Sequence, residues 1–416
     1  MPNLPVSEGV SRRRFVQSVA AASVLSAKST AAIMGANDRL RIGVIGAGGM
    51  ATNHMEALVK MREAGNFEIV NVCDIYEKRL DKAAQLTGGA PLKDYRRLLD
   101  NKDIDYVTIA TPEHWHYQMA MDALEAGKHV YVEKPMTQNV AQAQKLLAKV
   151  KASGRKLQVG VQGMSDESYA VAYEHVKAGE LGNVVLAQID YSRNYHGDFW
   201  AGNDYPIDAD AKPGVNLDWS AWLGPAPKRP WDPERYFRWR RYWDYSGGIA
   251  TDLFIHRASR LIKALNLSFP DYVVATGGKF EYKDSVAEIP DTFNVLADYP
   301  GGPTMQLVSS MGNDTPVDHM IRGHKATLYF TRTGFTIKPQ HEYEKDLQPI
   351  TYEKKGAESL NLHHQNLQAA IRENQPLNCD ANLGLYGVAV CDMAVESFRK
   401  RQYLKWDKEK GGPVKA

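Results

Sequence analysis

Arg41-Ile42-Gly43-Val44-Ile45-Gly46-Ala47-Gly48-Gly49-Met50-Ala51 decides the fold of this 416-residue chain. A short β-branched run leads into a glycine-rich turn, and a helix-like segment follows from Met50 to about Ala64. Strand, turn and helix N-terminus in that order give the glycines a purpose. Gly46 permits the tight turn, Gly48 and Gly49 let a pyrophosphate approach the backbone, and Ala51 allows the helix to pack closely. Free N–H groups and the positive end of the helix dipole then attract phosphate oxygens near Met50. The next strand, Phe67–Cys73, ends at Asp74, placed to accept hydrogen bonds from ribose hydroxyls. A carboxylate there repels a 2′-phosphate, so NAD is the expected dinucleotide; Lys78 and Arg79 nearby keep NADP open.

Strands and helices continue to alternate. Tyr106–Ala110 reads as a strand stopped at Thr111-Pro112, followed by a helix to about Ala126 that carries His114 and His116. His129–Val132 leads into Glu133-Lys134-Pro135, and a helix over Val140–Ser153 precedes the strand Lys156–Val161. This alternation predicts a doubly wound parallel sheet with its ligand at the carboxyl ends of the strands. Asp74, Thr111, Pro112, Glu133 and Lys134 all fall at such ends, and His116 lies close by, so these residues are assigned to the cofactor side. The second half departs from the pattern. Val184–Tyr191, Tyr272–Phe280, Thr292–Tyr299 and Thr304–Ser309 read as strands of a mostly antiparallel sheet.

Glu133-Lys134-Pro135 behind a strand, together with Asp252-Leu253-Phe254-Ile255-His256 just after Gly247-Gly248, resembles the Gfo/Idh/MocA oxidoreductases. The resemblance runs from Arg41 to about Asp407, including Ile321-Arg322-Gly323 and a terminal helix Leu383–Lys400. It implies a Rossmann domain followed by an α+β domain with a large open sheet that carries the substrate site and mediates oligomer contacts, as a dimer or tetramer. It also implies a catalytic set of Lys134, Asp252 and His256, with a cis peptide at Pro135 common in the family. Gln162-Gly163-Met164 departs from the family, where many members place an arginine.

Oxidising a secondary alcohol needs a base for the hydroxyl proton and a positive charge near the developing alkoxide. His256 suits the first task and Lys134 the second, with Asp252 orienting the imidazole or holding a neighbouring hydroxyl. On an α-helix, residues four apart share a face, which would aim Asp252 and His256 into one site. Structural alternatives are a strand-end lysine, a helix-pairing aspartate and a hydrogen-bonded core histidine. Six of the eight tryptophans lie between Tyr191 and Tyr245, interleaved with arginines. Aromatic faces of this kind stack on the C–H faces of sugar rings, or else pack a core. Arg193 and Tyr195 are the substrate-binding candidates; Trp219 and Trp222 read as loop packing.

The N-terminus carries Ser11-Arg12-Arg13-Arg14-Phe15, a weakly apolar stretch to about Ala27, and Ser29-Thr30-Ala31 as a cleavage-like site. Residues 1–35 therefore read as a twin-arginine export signal, with a basic cytoplasmic N-terminus as the bland reading. The expected division is 36–161 for the NAD(P)-binding domain and 162–416 for the substrate and oligomerisation domain. Export implies a folded, periplasmic protein that meets the twin-arginine machinery, carries its cofactor out and stays off the membrane after cleavage. A formal net charge of +2 and no basic run argue against nucleic acid. Cys73, Cys379 and Cys391 lack metal-ligand spacing, no metal is expected, and a Cys379–Cys391 bridge is left open.

The expected activity is therefore hydride-transfer oxidoreduction of a carbohydrate (a sugar, polyol or glycoside) with a cofactor recycled in place. Glycoside hydrolysis through transient ring oxidation is the second reading, and a non-catalytic sugar-binding protein the third.

Overall fold

The computed structural model describes residues 38–356 and 358–416. The expected export signal and its cleavage site lie outside these residues.

The first sheet contains β1 (Leu40–Ile45), β2 (Phe67–Cys73), β3 (Ala90–Leu92), β4 (Tyr106–Ile109), β5 (His129–Glu133) and β6 (Leu157–Gly160). All pairings are parallel and the order is β3-β2-β1-β4-β5-β6. The order reverses between β1 and β4, which opens a crevice beyond their carboxyl ends. β4 is buried along its whole length, as expected of a central strand covered on both faces. Two short elements lacked a clear pattern in the sequence. They are the three-residue β3 and the helix Tyr95–Asp100, which is capped by Asp94 accepting from the Arg96 N–H.

The second sheet has ten strands. β7 (Val184–Asp190), β8 (Tyr272–Gly278), β9 (Thr292–Asp298) and β10 (Thr304–Ser310) form its centre. β11 (Met320–Gly323), β12 (Ala326–Thr331), β13 (Gly334–Pro339) and β14 (Ile350–Glu353) extend one side, and β15 (Leu404–Asp407) and β16 (Gly412–Lys415) the other. Every neighbour pair is antiparallel except β7 and β10. Alternation is clean in β9, where Phe293, Val295 and Ala297 are buried while Leu296 points outward and is 45% exposed.

The buried face carries the helices Ile255–Leu265 and Ala381–Lys400. One hydrophobic core runs through both sheets, so the two halves are packed rather than tethered. Asp392 on the terminal helix accepts the N–H of Val140 at the start of the helix Val140–Ser153, tying the last helix to the first sheet. A separate aromatic cluster forms where Trp219, Trp222, Tyr236, Tyr242 and Tyr245 pack on Tyr76. All three cysteines are buried and free, so no Cys379–Cys391 bridge forms. Among the described residues no helix is long and apolar enough to cross a membrane.

Candidate active site

A cleft of about 1270 Å³ begins at the crevice between β1 and β4 and continues into the second domain. Gly46, Gly48, Gly49, Met50 and Asp74 line one end. Thr111, Pro112, His116, Glu133 and Lys134 line the middle, and Arg193, Tyr195, Asp252 and His256 the far end. Every site residue expected from the sequence thus faces one continuous space.

The fingerprint end is built from backbone. Gly46 has φ of 96°, and a Cβ on it would stand 2.8 Å from the Ala110 carbonyl oxygen. Only glycine fits there without moving β4. Gly48 precedes the helix Gly49–Gly65, and no side chain caps that helix. Its first-turn N–H groups remain available as donors, the arrangement that receives a pyrophosphate. The Asp74 carboxylate accepts the N–H of Ala47 at 2.7 Å and of Tyr76 at 2.9 Å, which fixes the glycine loop against the end of β2. Burial raises the Asp74 pKa, and Arg79 and the backbone donors offset only part of that rise.

Of the two cations near Asp74, Lys78 is bound to Asp208 and Asp210, each at 2.8 Å. Arg79 lies over the rings of Tyr236 and Phe237 at 5.3 and 5.4 Å. These residues therefore fit a dinucleotide: an open helix N-terminus, a glycine cradle and a carboxylate at the end of the second strand.

In the middle of the cleft the Lys134–Pro135 peptide is cis, as the family resemblance implies. His116 is buried, with its two ring nitrogens 2.8 Å from the Thr111 carbonyl and 2.7 Å from the Pro135 carbonyl. It joins the end of β4 to the turn after β5, a structural link between cofactor loop and lysine loop. Glu133 turns inward. His54 and Gln162 both contact its Oε1, at 2.8 and 2.7 Å, and His54 in turn meets His364 at 2.8 Å. Burial alone would raise the Glu133 pKa, but the bond and charge of His54 outweigh it and hold the acid down at about 2. Gln162 is thus a hydrogen-bond donor to Glu133.

The far end is made from side chains. The Lys134 ammonium donates to the Asp252 carboxylate at 2.7 Å and to its carbonyl at 2.8 Å. Arg240 Nε donates to the same carboxylate oxygen at 3.1 Å. Burial opposes ionisation of Asp252, yet the two cations hold its pKa far below the usual carboxylate range. Ala250–Phe254 is a π-helical turn, with the α-helix beginning at Ile255. As the four-residue spacing implied, Asp252 and His256 both line the cleft, but the carboxylate bonds Lys134 and Arg240 and no hydrogen bond joins it to the imidazole. π-helical insertions of this kind concentrate at functional sites.

His256 lies beside the Tyr191 ring, 6.1 Å between centroids, and no hydrogen bond holds its ring among the described residues. Burial and the nearby Lys134 charge lower its pKa to about 3, so the ring is neutral at ordinary pH and keeps a nitrogen lone pair free to accept. The roles of two residues were not legible. Arg240 is one of several arginines interleaved with the tryptophans that could bond hydroxyls or acids, and that pattern does not reveal which guanidinium reaches Asp252. Glu113 is buried and accepts from Ser246 Oγ, the Gly247 N–H and Thr251 Oγ1 at 3.0, 3.2 and 2.8 Å. Burial, reinforced by the Asp252 charge, raises its pKa to about 7. It anchors the glycine turn ahead of Asp252, a role without sequence signal. Among the described residues no cluster of His, Cys, Asp and Glu has the form of a metal site.

Comparison with known proteins agrees with this architecture. Residues 40–161 match the model of the oxidoreductase family's NAD-binding Rossmann fold. Residues 172–264 and 227–406 match two models of its C-terminal alpha/beta domain. Inositol 2-dehydrogenase of Salmonella typhimurium is 28% identical over 162 residues, which are 38% of this chain and 46% of that protein. A glycosyl hydrolase family 109 protein of a Shewanella species is 33% identical over 119 residues, 26% of this chain and 25% of that one. These matched stretches span less than half the length of either curated relative. Levoglucosan dehydrogenase, solved with NADH and levoglucosan, shares the fold at 18% identity and a TM-score of 0.67, over 88% of this chain and 99% of its own. With the nucleotide cradle, the ten-stranded second sheet and the family models in agreement, this chain belongs to the Gfo/Idh/MocA oxidoreductase family.

Proposed function

We propose that this protein oxidises or reduces a carbohydrate (a sugar, polyol or glycoside) with a retained NAD. The observation that carries the reading is the single cleft that joins the glycine loop to Lys134, Asp252 and His256. A nicotinamide dinucleotide, when bound, supplies the hydride acceptor. The chain's own groups do the rest. Neutral His256 accepts the proton of the reacting hydroxyl. Lys134, held by Asp252, places its charge where alkoxide develops. Asp252 acts by fixing Lys134 and Arg240 rather than by orienting the imidazole. Arg193 and Tyr195 bind the far side of the substrate. The dehydrogenases of inositol and levoglucosan among its relatives support a carbohydrate substrate.

NAD is favoured over NADP because Asp74 carries the charge that opposes a 2′-phosphate, while Lys78 is already neutralised by Asp208 and Asp210. Retention is supported by the segment that roofs the fingerprint end. Asn216 accepts the N–H of Glu77 at 2.9 Å, Asp218 donates its N–H to Ile75 at 3.1 Å, and Asp208 accepts from the Tyr76 hydroxyl at 3.0 Å. This agrees with export through the twin-arginine pathway to the periplasm, where a second sugar must return what the first gives up. Self-association through the open sheet is supported by Tyr272 and Leu296, which stand exposed on its outer face. Denaturing the purified protein and analysing the released dinucleotide tests the reading. One equivalent of NAD is expected; an empty protein that needs exchanging cofactor overturns retention.

The Shewanella relative favours a second reading: transient oxidation of a ring carbon, elimination of the glycoside, and return of the hydride. Aryl glycosides separate the two, since aglycone release without net NADH belongs only to the hydrolytic cycle.

A further inference from the structure

The substrate end of the cleft holds three cations. Lys134 and Arg240 share one carboxylate, Asp252. Arg193 has none. Its guanidinium donates to the hydroxyls of Tyr195 at 3.2 Å and Tyr191 at 3.3 Å, and stands 5.1 Å over the Tyr191 ring. Phenolic hydroxyls accept hydrogen bonds but bring no formal negative charge. Of the remaining acids, Glu133, held ionised beside Lys134, balances one more charge, Glu113 is taken up by the turn at Gly247, and Asp204 is exposed at the mouth, so one positive charge, that of Arg193, is left over. His256 is neutral. A partly buried site with this excess of positive charge is unfavourable until an anion enters it.

We infer that the substrate is a sugar bearing a carboxylate, read by Arg193 from between Tyr191 and Tyr195, with Arg240 turned toward the same space. Both arginines retain unused N–H donors, since two hydrogen bonds of Arg193 and one of Arg240 are made within the protein. A guanidinium fork matches a carboxylate in two parallel bonds. One unshared cation fits a single negative charge better than a phosphate, which carries nearly two. Tyr191 also touches the His256 ring, so the carboxylate is held within one residue's span of the base. This assignment rests on the oxidoreductase reading for the place of the reacting carbon, but the charge argument concerns binding alone.

The experiment is calorimetric titration of the purified, dinucleotide-containing protein with matched pairs. Methyl glycosides of glucose, galactose and mannose are compared with the corresponding methyl glycosiduronates and 6-phosphates. In at least one pair the uronate should bind about 10- to 100-fold more tightly than its neutral partner. Arg193→Met should erase that preference and Arg193→Lys restore part of it, with melting temperature and dinucleotide content confirming an intact fold. The inference is overturned if no uronate binds, if every pair binds equally, if the phosphate is preferred, or if the preference survives Arg193→Met. Absorbance of reduced nicotinamide in the same samples separates the two readings. A uronate that binds through Arg193 but never reduces the cofactor sinks the oxidoreductase reading and leaves this one standing.

Discussion

At the fingerprint end of the cleft the contact surface is backbone: a glycine at positive φ, an uncapped helix N-terminus, and a carboxylate that braces the loop. At the far end it is side chains, brought from the turn after β5, the loop after β7, the short helical turn at Arg240 and a π-helical turn at Asp252. The first arrangement uses groups every residue possesses, so its specificity lies in where chain geometry allows close approach. The second depends on charges that balance only when all partners are present. The two ends should therefore fail differently when mutated.

The largest effect is expected from Asp252→Ala. Lys134 and Arg240 would be left facing each other with their carboxylate gone, in a site where the Lys134 side chain is 12% exposed. Removing one partner from such a buried group costs about 3–5 kcal/mol, so the melting temperature should fall by several degrees along with activity. An unchanged melting curve would mean the far end is not a coupled charge cluster. Lys134→Met should reduce kcat by about 10²- to 10³-fold while leaving dinucleotide content intact, as befits a transition-state charge. Loss of the dinucleotide instead would move Lys134 to the cofactor side of the comparison.

Gly46→Ala tests the backbone end. Its Cβ meets the Ala110 carbonyl and its φ is unfavourable, costing about 1–3 kcal/mol. Dinucleotide affinity should drop by about 10- to 100-fold, while kcat at saturating cofactor changes little. Equal loss of kcat would blur the division between the two ends.

Two pH effects are smaller. Because burial and Lys134 lower His256 to about 3, its basic form persists above that value and is lost only as pH falls through it. The acid limb of kcat should therefore not show an inflection near 6.5, the ordinary histidine value. Glu113 shifts the other way, from 4.5 to about 7, so between those values the folded state binds more protons than the unfolded one. Folding stability should decline gently as pH rises through that window, and Glu113→Gln should flatten the slope. A wild-type slope retained in the variant would assign it elsewhere, with Asp392, raised by burial to about 6, the next group to test.

Legibility followed the same division. β1, β2 and the helix after Gly48 were readable because β-branched runs and glycine spacing act locally. The central strands of the second sheet were readable by alternation, whereas β11 to β16 are only four to six residues long, too short for alternation to stand out although most pair with the next strand in the chain. Lys134, Asp252 and His256 were found through a family pattern, but the partnership of Asp252 was not. Four-residue spacing put Asp252 and His256 into one site, and both line the cleft, but it did not reveal that the carboxylate bonds Lys134 and Arg240. Glu113 and the pair formed by Glu133 and His54 had no signal, because their partners lie 133 or more positions away for Ser246 and 79 for His54.

The sequence by itself determined a parallel nucleotide-binding sheet, an open second sheet and the kinds of residue that meet between them. Periodicity, glycine geometry and strand ends are properties of short stretches, so a chain read in one dimension contains them. Only the tertiary structure decided which charges neutralise one another. Asp252 pairs with two cations, His256 stands neutral and unbonded, and Arg193 faces the cleft without a carboxylate. Such balances depend on distance and burial, which fall steeply over a few ångströms and leave no trace in residue order.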